Sequence, residues 1–163
     1  MDRAAFDELM TSSDPAMAVV TVSAAGEHSG CLVGFHGQSS IEPPRYGVWV
    51  SKANHTYGVV LEATHLAVHF LTHQDHELAR IFGSLTGDDV DKFDLVRWHP
   101  DEHGVPILDG CAHGLAGAKD AVLDAGGDHV LVVIDPTDAW ADGPFTPLRL
   151  SDVTDVEPGH PAD

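Results

Sequence analysis

Positively charged side chains are scarce in this sequence. Eight Lys and Arg residues stand against 26 Asp and Glu residues in a chain of 163, which gives a formal net charge of −18 at pH 7. Nucleic-acid binding needs a cationic surface that neutralises phosphates, and anionic lipid surfaces attract basic segments for the same reason. The composition therefore predicts a protein that binds neither nucleic acid nor a membrane surface.

Cysteine is also scarce, and long apolar runs are missing. Cys31 and Cys111 lie far apart and form no CxxC motif, so we expect a reduced pair, with one disulfide as the alternative. No apolar stretch approaches the roughly 18 residues that indicate a membrane-spanning helix. The first ten residues, MDRAAFDELM, carry no signal-peptide pattern. The expected location is the cytoplasm.

Several common site motifs are missing as well. The sequence contains no GxGxxG, no GxxxxGK[ST] and no GxSxG, which excludes a Rossmann site, a P-loop and a serine-hydrolase elbow. Twelve histidines raise the alternative of a metal site. On one strand, however, His65, His69 and His73 would span about 27 Å at roughly 3.3 Å per residue. One ion cannot bridge that distance, so no metal site is expected.

Hydrophobic periodicity predicts short strands with a few short helices. We expect strands over 19–23, 28–35, 46–51, 66–71, 110–123 and 129–134, with a further short strand within 144–150. We expect helices over 2–10, 57–63 and 76–82, and irregular segments over 37–44 and 84–91. Strands and helices do not alternate regularly, which favours a mainly β, antiparallel barrel with helical insertions. The predicted organisation is an N-terminal helix and lead-in (1–17), one domain (18–150) and a tail (151–163).

The segment from Ser51 to Thr56 is the best candidate for an anion site. It follows a predicted strand and precedes a predicted helix, and backbone N–H groups at a helix N-terminus favour anions. Lys52 adds a cation, while Ser51, Asn54 and Thr56 add neutral hydrogen-bonding groups. The alternative is a capped helix start with an exposed lysine.

Eight short segments stand in an order that is typical of one protein family. They are Ala18–Val22, Ser40-Ile41-Glu42-Pro43-Pro44, Val48–Lys52 followed by Thr56, Ala67–Leu71, Glu77–Gly83, Asp91-Lys92-Phe93, Gly104–Gly110 and Gly127-Asp128-His129. Each is weak alone. Together, over residues 18–138, they resemble the flavin reductase-like family of FMN-binding proteins.

The resemblance implies a fold, a cofactor and partners. The fold would be an antiparallel Greek-key split β-barrel that forms a homodimer. The cofactor would be FMN, with FAD as a possibility, and NAD(P)H would reduce it. The function would be that of an NAD(P)H-dependent flavin reductase that supplies reduced flavin or electrons to a flavin-dependent monooxygenase. In such proteins the flavin carries the chemistry and the protein places it.

The resemblance also implies site residues. The flavin ring would lie along the 31–38 segment, and the phosphate and ribityl chain would meet the Ser51–Thr56 segment. His129 matches the histidine near the flavin and the nicotinamide, and is the candidate catalytic residue. The candidate cofactor-binding residues are Val33, Gly34, Phe35, His36, Gln38, Ser51, Lys52, Asn54, Thr56 and His69.

The sequence departs from the family pattern where the ring would bind. Leu32 and Phe35 stand where the family commonly has small polar residues, and His69 replaces an asparagine. Polar contacts to a flavin would therefore be fewer. This departure keeps a second interpretation open, in which the chain is a non-catalytic split-barrel protein or binds a deazaflavin or another planar cofactor.

Overall fold

Antiparallel strands dominate the structure, a computed structural model that describes residues 1–86 and 90–159. The strands are β1 Ala18–Ala24, β2 Glu27–Val33, β3 His36–Ser40, β4 Arg45–Ser51, β5 His65–Phe70, β6 Trp98–Pro100, β7 Pro106–Leu108, β8 Gly114–Asp124 and β9 His129–Trp140. The helices are α1 Arg3–Ser13, α2 His55–Glu62 and α3 His76–Ser84, with short 3-10 turns at His73–Asp75, Lys92–Asp94 and Leu150–Val153.

Seven of these strands form one sheet in the order β2-β1-β5-β8-β9-β4-β3, and β6 and β7 form a separate hairpin. Neighbouring strands are antiparallel throughout. The predicted mainly β, antiparallel split-barrel fold with short helices is confirmed. The predicted loop over 84–91 and the predicted tail over 151–163 extend into residues 87–89 and 160–163, which lie outside the described residues.

The second and third strands differ from the prediction. β2 ends at Val33, and the segment expected to be irregular begins with β3, which pairs with β4. Pro43 and Pro44 lie in the turn after β3, where Glu42–Pro43 is a cis peptide bond. A proline in a turn removes no hydrogen bond from the sheet, so the two prolines did not exclude a strand just before them.

The last two predicted strands also differ. β9 extends beyond the expected end to Trp140. The segment 144–150 forms no strand and makes only isolated bridges, between Ala16 and Arg149 and between Thr72 and Pro147. Pro144 and Pro147 lack the N–H groups that a regular ladder requires, which explains the interruption.

The sheet has a buried core on each side, because side chains alternate along a strand. Val20 of β1 and Val50 of β4 belong to the core inside the barrel. Val19, the neighbour of Val20, faces the other way into a second core with Phe82 of α3 and Leu108 of β7. Both sides of β1 are therefore apolar, which accounts for its β-branched run.

His69 joins the main sheet to the β6–β7 hairpin from a fully buried position. Its Nδ1 donates to the carbonyl of Val19 (3.3 Å), and its Nε2 accepts from the backbone N–H of Leu108 (3.0 Å). A second link runs from the Thr21 hydroxyl to the Pro106 carbonyl at 2.6 Å. Burial lowers the pKa of His69 to about 4, because a charged imidazole would lose its hydration there.

Lys92 covers the edge of the sheet at β2. Its Nζ donates to the carbonyls of Gly30 in β2 (3.0 Å) and Phe82 in α3 (3.2 Å). Its side chain is buried, and this burial lowers the pKa of the ammonium group. The same side chain therefore satisfies a carbonyl at the strand edge and another at the end of the helix that packs beside it.

The buried imidazole of His69 predicts a pH dependence of stability. Its folded pKa of about 4 lies below the ordinary value near 6.5, so the unfolded chain takes up a proton first as the pH falls. Above pH 6.5 the group has no effect. Between about pH 6.5 and 4 it should reduce the unfolding free energy by about 1.4 kcal/mol per pH unit.

We expect urea unfolding of the wild type and of His69→Asn, followed across this pH range, to show that only the wild type has this contribution. His73→Asn is the control, because His73 is largely exposed. Parallel pH curves for the wild type and His69→Asn would contradict the prediction.

Candidate functional site

A cleft of about 220 Å³ opens where β2 and β4 end and β9 begins. The register of the sheet brings these segments together, since Ser51 at the end of β4 pairs with His129 at the start of β9. The cleft is lined by Pro15, Met17, Cys31, Leu32, Val33, Gly34, Phe35, Trp49, Ser51, Asn54, His129 and Leu150. Six of the predicted site residues therefore meet in one cleft: Val33, Gly34, Phe35, Ser51, Asn54 and His129.

The lining of the cleft is mostly apolar and has few polar residues. Ser51, Asn54 and His129 lie where β4, α2 and β9 meet, while the other lining residues are almost all apolar. Such a cleft suits a ligand that has a flat apolar body and a polar extension, since unpaired polar groups on an apolar wall are costly.

Two aromatic side chains stand at the cleft and are partly exposed. Phe35 is 57% exposed and Trp49 is 38% exposed. The Phe35 ring lies 5.3 Å from the His129 ring, with the planes inclined by 60°. Aromatic faces of this kind can stack on a planar ligand.

His129 is oriented by its neighbour in the chain. Its Nδ1 donates to the carboxylate of Asp128 at 2.9 Å, and this hydrogen bond holds the pKa of Asp128 below its ordinary value. With Nδ1 occupied, Nε2 is the ring nitrogen that can meet a ligand in the cleft. As a neutral imidazole His129 would accept there, and as an imidazolium it would donate.

The turn between β4 and α2 forms a capped helix start. The side chain of Asn54 caps α2 by accepting from the N–H of Thr56 at 3.0 Å. The Ser51 hydroxyl accepts from the N–H of Ala53 at 3.3 Å, and the N–H of Lys52 donates to the carbonyl of Asp128 at 2.9 Å. The N-terminus of α2 is thus held beside the cleft.

Two cations, Lys52 in this turn and Arg45 at the start of β4, are paired with carboxylates. Lys52 Nζ lies 2.9 Å from Asp124, and this contact lowers the pKa of Asp124. Arg45 pairs with Asp120 and Asp135. Lys52 is therefore beside the cleft but does not line it in this conformation.

Four other predicted residues do not line the cleft. His36 donates from Nε2 to the Ala16 carbonyl (2.8 Å) and accepts at Nδ1 from the Tyr46 hydroxyl (2.7 Å). Thr56 is buried and shares a hydrogen bond with the hydroxyl of Ser29. Gln38 is exposed on β3, and His69 has both ring nitrogens engaged in the core.

Several apolar residues of the cleft were not predicted from the sequence. Pro15 and Leu150 come from opposite ends of the chain and are joined by a hydrogen bond from the N–H of Leu150 to the carbonyl of Pro15, and no local pattern connects them. Trp49 could have been found, because Val48 and Val50 face the core and the residue between them must face outward.

Other kinds of site find no support in the described part of the chain. No group of three or more His, Cys, Asp or Glu side chains there could hold a metal ion. Cys31 and Cys111 are free and buried, and burial raises the pKa of both thiols, that of Cys111 to about 11. Over the same residues, no helix has the length and apolar composition needed to cross a membrane.

The chain is similar to reductase components of two-component oxygenases. It is 31% identical over 136 residues to the 4-hydroxyphenylacetate 3-monooxygenase reductase component of Klebsiella oxytoca, covering 80% of this chain and 78% of the relative. It is 29% identical to the reductase subunit HsaB of Mycobacterium tuberculosis, covering 80% and 72%. Some relatives are longer, and the chain spans only 40% of a trigonelline monooxygenase reductase component from Acinetobacter baylyi.

Solved structures share the fold. A flavin reductase domain protein from Arthrobacter superposes with a TM-score of 0.80 at 23% identity, covering 91% of each chain. An FMN-binding protein from Thermus thermophilus, solved with bound 1-cyclohex-2-enone, superposes with a TM-score of 0.73 at 28% identity, covering 79% of this chain and 71% of that one. The family model described as "Flavin reductase like domain" matches residues 10–152. This chain therefore belongs to the flavin reductase-like family.

Proposed function

We propose that this protein is an NAD(P)H-dependent flavin reductase that holds FMN in the cleft and supplies reduced flavin to a partner oxygenase. The observation that carries the proposal is the cleft itself, in which aromatic and aliphatic walls adjoin Ser51, Asn54 and His129. Names of relatives support the reaction, since one is an FMN reductase (NADH) from Agrobacterium fabrum and others are oxygenase reductase components.

The apolar walls and the few polar residues of the cleft fit the two parts of FMN. The isoalloxazine ring would lie along Val33, Gly34 and Phe35, where apolar contact and stacking replace polar side chains. The ribityl phosphate would extend to Ser51 and Asn54 and the N-terminus of α2, where backbone dipoles favour an anion. When bound, the flavin would supply the hydride chemistry.

Lys52 and His129 would each contact the bound cofactors. Lys52 pairs with Asp124 beside the turn between β4 and α2. The phosphate would lie beside the same turn, so a rotation of the Lys52 side chain would exchange Asp124 for the more highly charged phosphate. His129, held by Asp128, would present Nε2 to the bound flavin or to the nicotinamide and orient it. His36, Thr56 and His69, which do not line the cleft, would act through the packing of its walls.

We further propose that the protein is a cytoplasmic homodimer. Outward-facing side chains of β4, β8 and β9 leave an apolar sheet face next to the cleft, with Trp49 38% and Leu123 54% exposed. Gly47 keeps this face close-packed, since a Cβ there would contact Leu131. A second copy would cover this face, and two-fold dimers are the commonest assemblies.

A second candidate function keeps the fold but not the reaction. Leu32 and Phe35 give the ring segment an apolar surface, which would equally suit a deazaflavin or another planar cofactor held without turnover. Oxidation of NADH and NADPH, measured with FMN and with FAD, separates the two candidates. A protein that binds FMN but does not accelerate either oxidation would support the second.

The reductase assay also tests His129. We expect His129→Ala to lower kcat/KM for the nicotinamide cofactor by about tenfold or more, the scale of one lost hydrogen bond to a charged group. The melting temperature should change little. His99→Ala is the control, because His99 is exposed and outside the cleft. Unchanged kinetics with a lower melting temperature would assign His129 a structural role only.

Removal of the cation beside the cleft should weaken FMN binding. Lys52→Ala should cost about 1–2 kcal/mol, as expected for a charge-assisted hydrogen bond to phosphate. Quenching of flavin fluorescence gives the dissociation constant. Arg80→Ala removes an equal charge from α3 and should leave the affinity unchanged. Equal affinity in the wild type and Lys52→Ala would place the phosphate elsewhere.

The proposed dimer face can be tested by placing one charged side chain in it. Leu123→Asp should dissociate the dimer at micromolar concentration, because a carboxylate would have to be buried between the two copies. Light scattering after size exclusion measures the mass. Leu95→Asp, at another exposed leucine, should remain dimeric. A monomeric wild type, or a dimeric Leu123→Asp, would contradict this arrangement.

A further inference from the structure

A second cavity, of about 550 Å³, lies between the β6–β7 hairpin and the sheet. It is larger than the cleft, and the described linings of the two share no residue. His99 and Ile107 contribute to it from the hairpin, and Asp138 and Trp140 contribute from the end of β9. Its volume lies in the range of sites for small organic ligands. The proposed reductase function makes no use of it.

The floor of this cavity is apolar and rigid. Trp140 donates from its indole N–H to the carbonyl of Cys111 at 3.3 Å, and its ring lies against Gly114, where any side chain would overlap it. Ile107 and Ala116 pack with Trp140 beneath the cavity. A fixed indole beside aliphatic groups offers a flat apolar surface, and Trp is the side chain that attracts cations best through its ring.

The rim of the cavity is acidic. Asp101, Glu102, Asp109 and Asp138 line it together with His99 and His103, and no Lys or Arg is found among its described lining residues. Two of the carboxylates are held in place, since Asp101 accepts from backbone N–H groups and Asp109 accepts from His99 at 2.6 Å. A phosphate-bearing flavin or nicotinamide would be repelled here, whereas a cation would be attracted.

We propose that this cavity is a second ligand site, specific for a small organic ammonium ion. The apolar body of the ligand would lie against Trp140 and Ile107. Its positive charge would lie among the carboxylates of Asp109 and Asp138 and near the indole ring. The combination selects the ligand class, because a neutral apolar molecule would gain no charge attraction from the carboxylates and an inorganic cation would gain nothing from the apolar floor.

Benzyltrimethylammonium is a suitable probe, with benzyl alcohol as the neutral comparison and benzoate as the anionic one. A titration followed by NMR through the indole N–H signal of Trp140, assigned with Trp140→Phe, reports binding at this cavity. We expect saturable binding of the ammonium probe that weakens with added salt, weaker binding of the alcohol and no binding of benzoate.

The carboxylates are tested by Asp109→Asn/Asp138→Asn, which removes two charges but keeps oxygen acceptors for His99 and the neighbouring backbone. Affinity for the ammonium probe should fall about fivefold or more, given the usual strength of partly exposed charge pairs. Asp94→Asn/Glu157→Gln changes the net charge equally at exposed positions outside the cavity and should bind like the wild type. Equal binding of alcohol and ammonium, an unaffected Asp109→Asn/Asp138→Asn protein, or no saturable shift would each overturn the proposal.

Discussion

The pairing of β4 with β9 joins β3 and β4 to the rest of the sheet. β2, β1 and β5 form one half of the sheet and β3 and β4 form the other, and the β8–β9 hairpin joins them. The cleft exists because this pairing places Ser51 opposite His129. A shift of one residue would turn His129 to the opposite face of the sheet. The register of β4 and β9 therefore determines the geometry of the cleft.

Much of the fold could be predicted because local patterns determined it. The strand predicted over 19–23 lies within β1, and the strand predicted over 129–134 begins where β9 begins. The prediction of an irregular segment over 37–44 was wrong at β3. Gly37 and the nearby prolines lower the strand propensity there, but pairing with β4 overrides it. Local patterns carry no information about such long-range pairing.

The candidate site could be predicted only in part, for a related reason. Family-like motifs identified Phe35, Ser51, Asn54 and His129, which the structure brings together. The position of His69 in its strand gave no indication that both its nitrogens would bind the backbone of other segments. Motifs locate residues along a chain, whereas burial and the facing direction of a side chain depend on what packs against it.

The buried ammonium of Lys92 affects whether the edge strand β2 can pair with strands of other proteins. A free strand edge offers carbonyl and N–H groups to any extended segment that approaches, which is a common start of aggregation. At Gly30 the carbonyl is already taken, and the group that takes it is a cation without ready access to water. An incoming strand would have to expel that charge before it could pair. Lys92 therefore opposes the pairing of an unrelated strand at this point of the β2 edge.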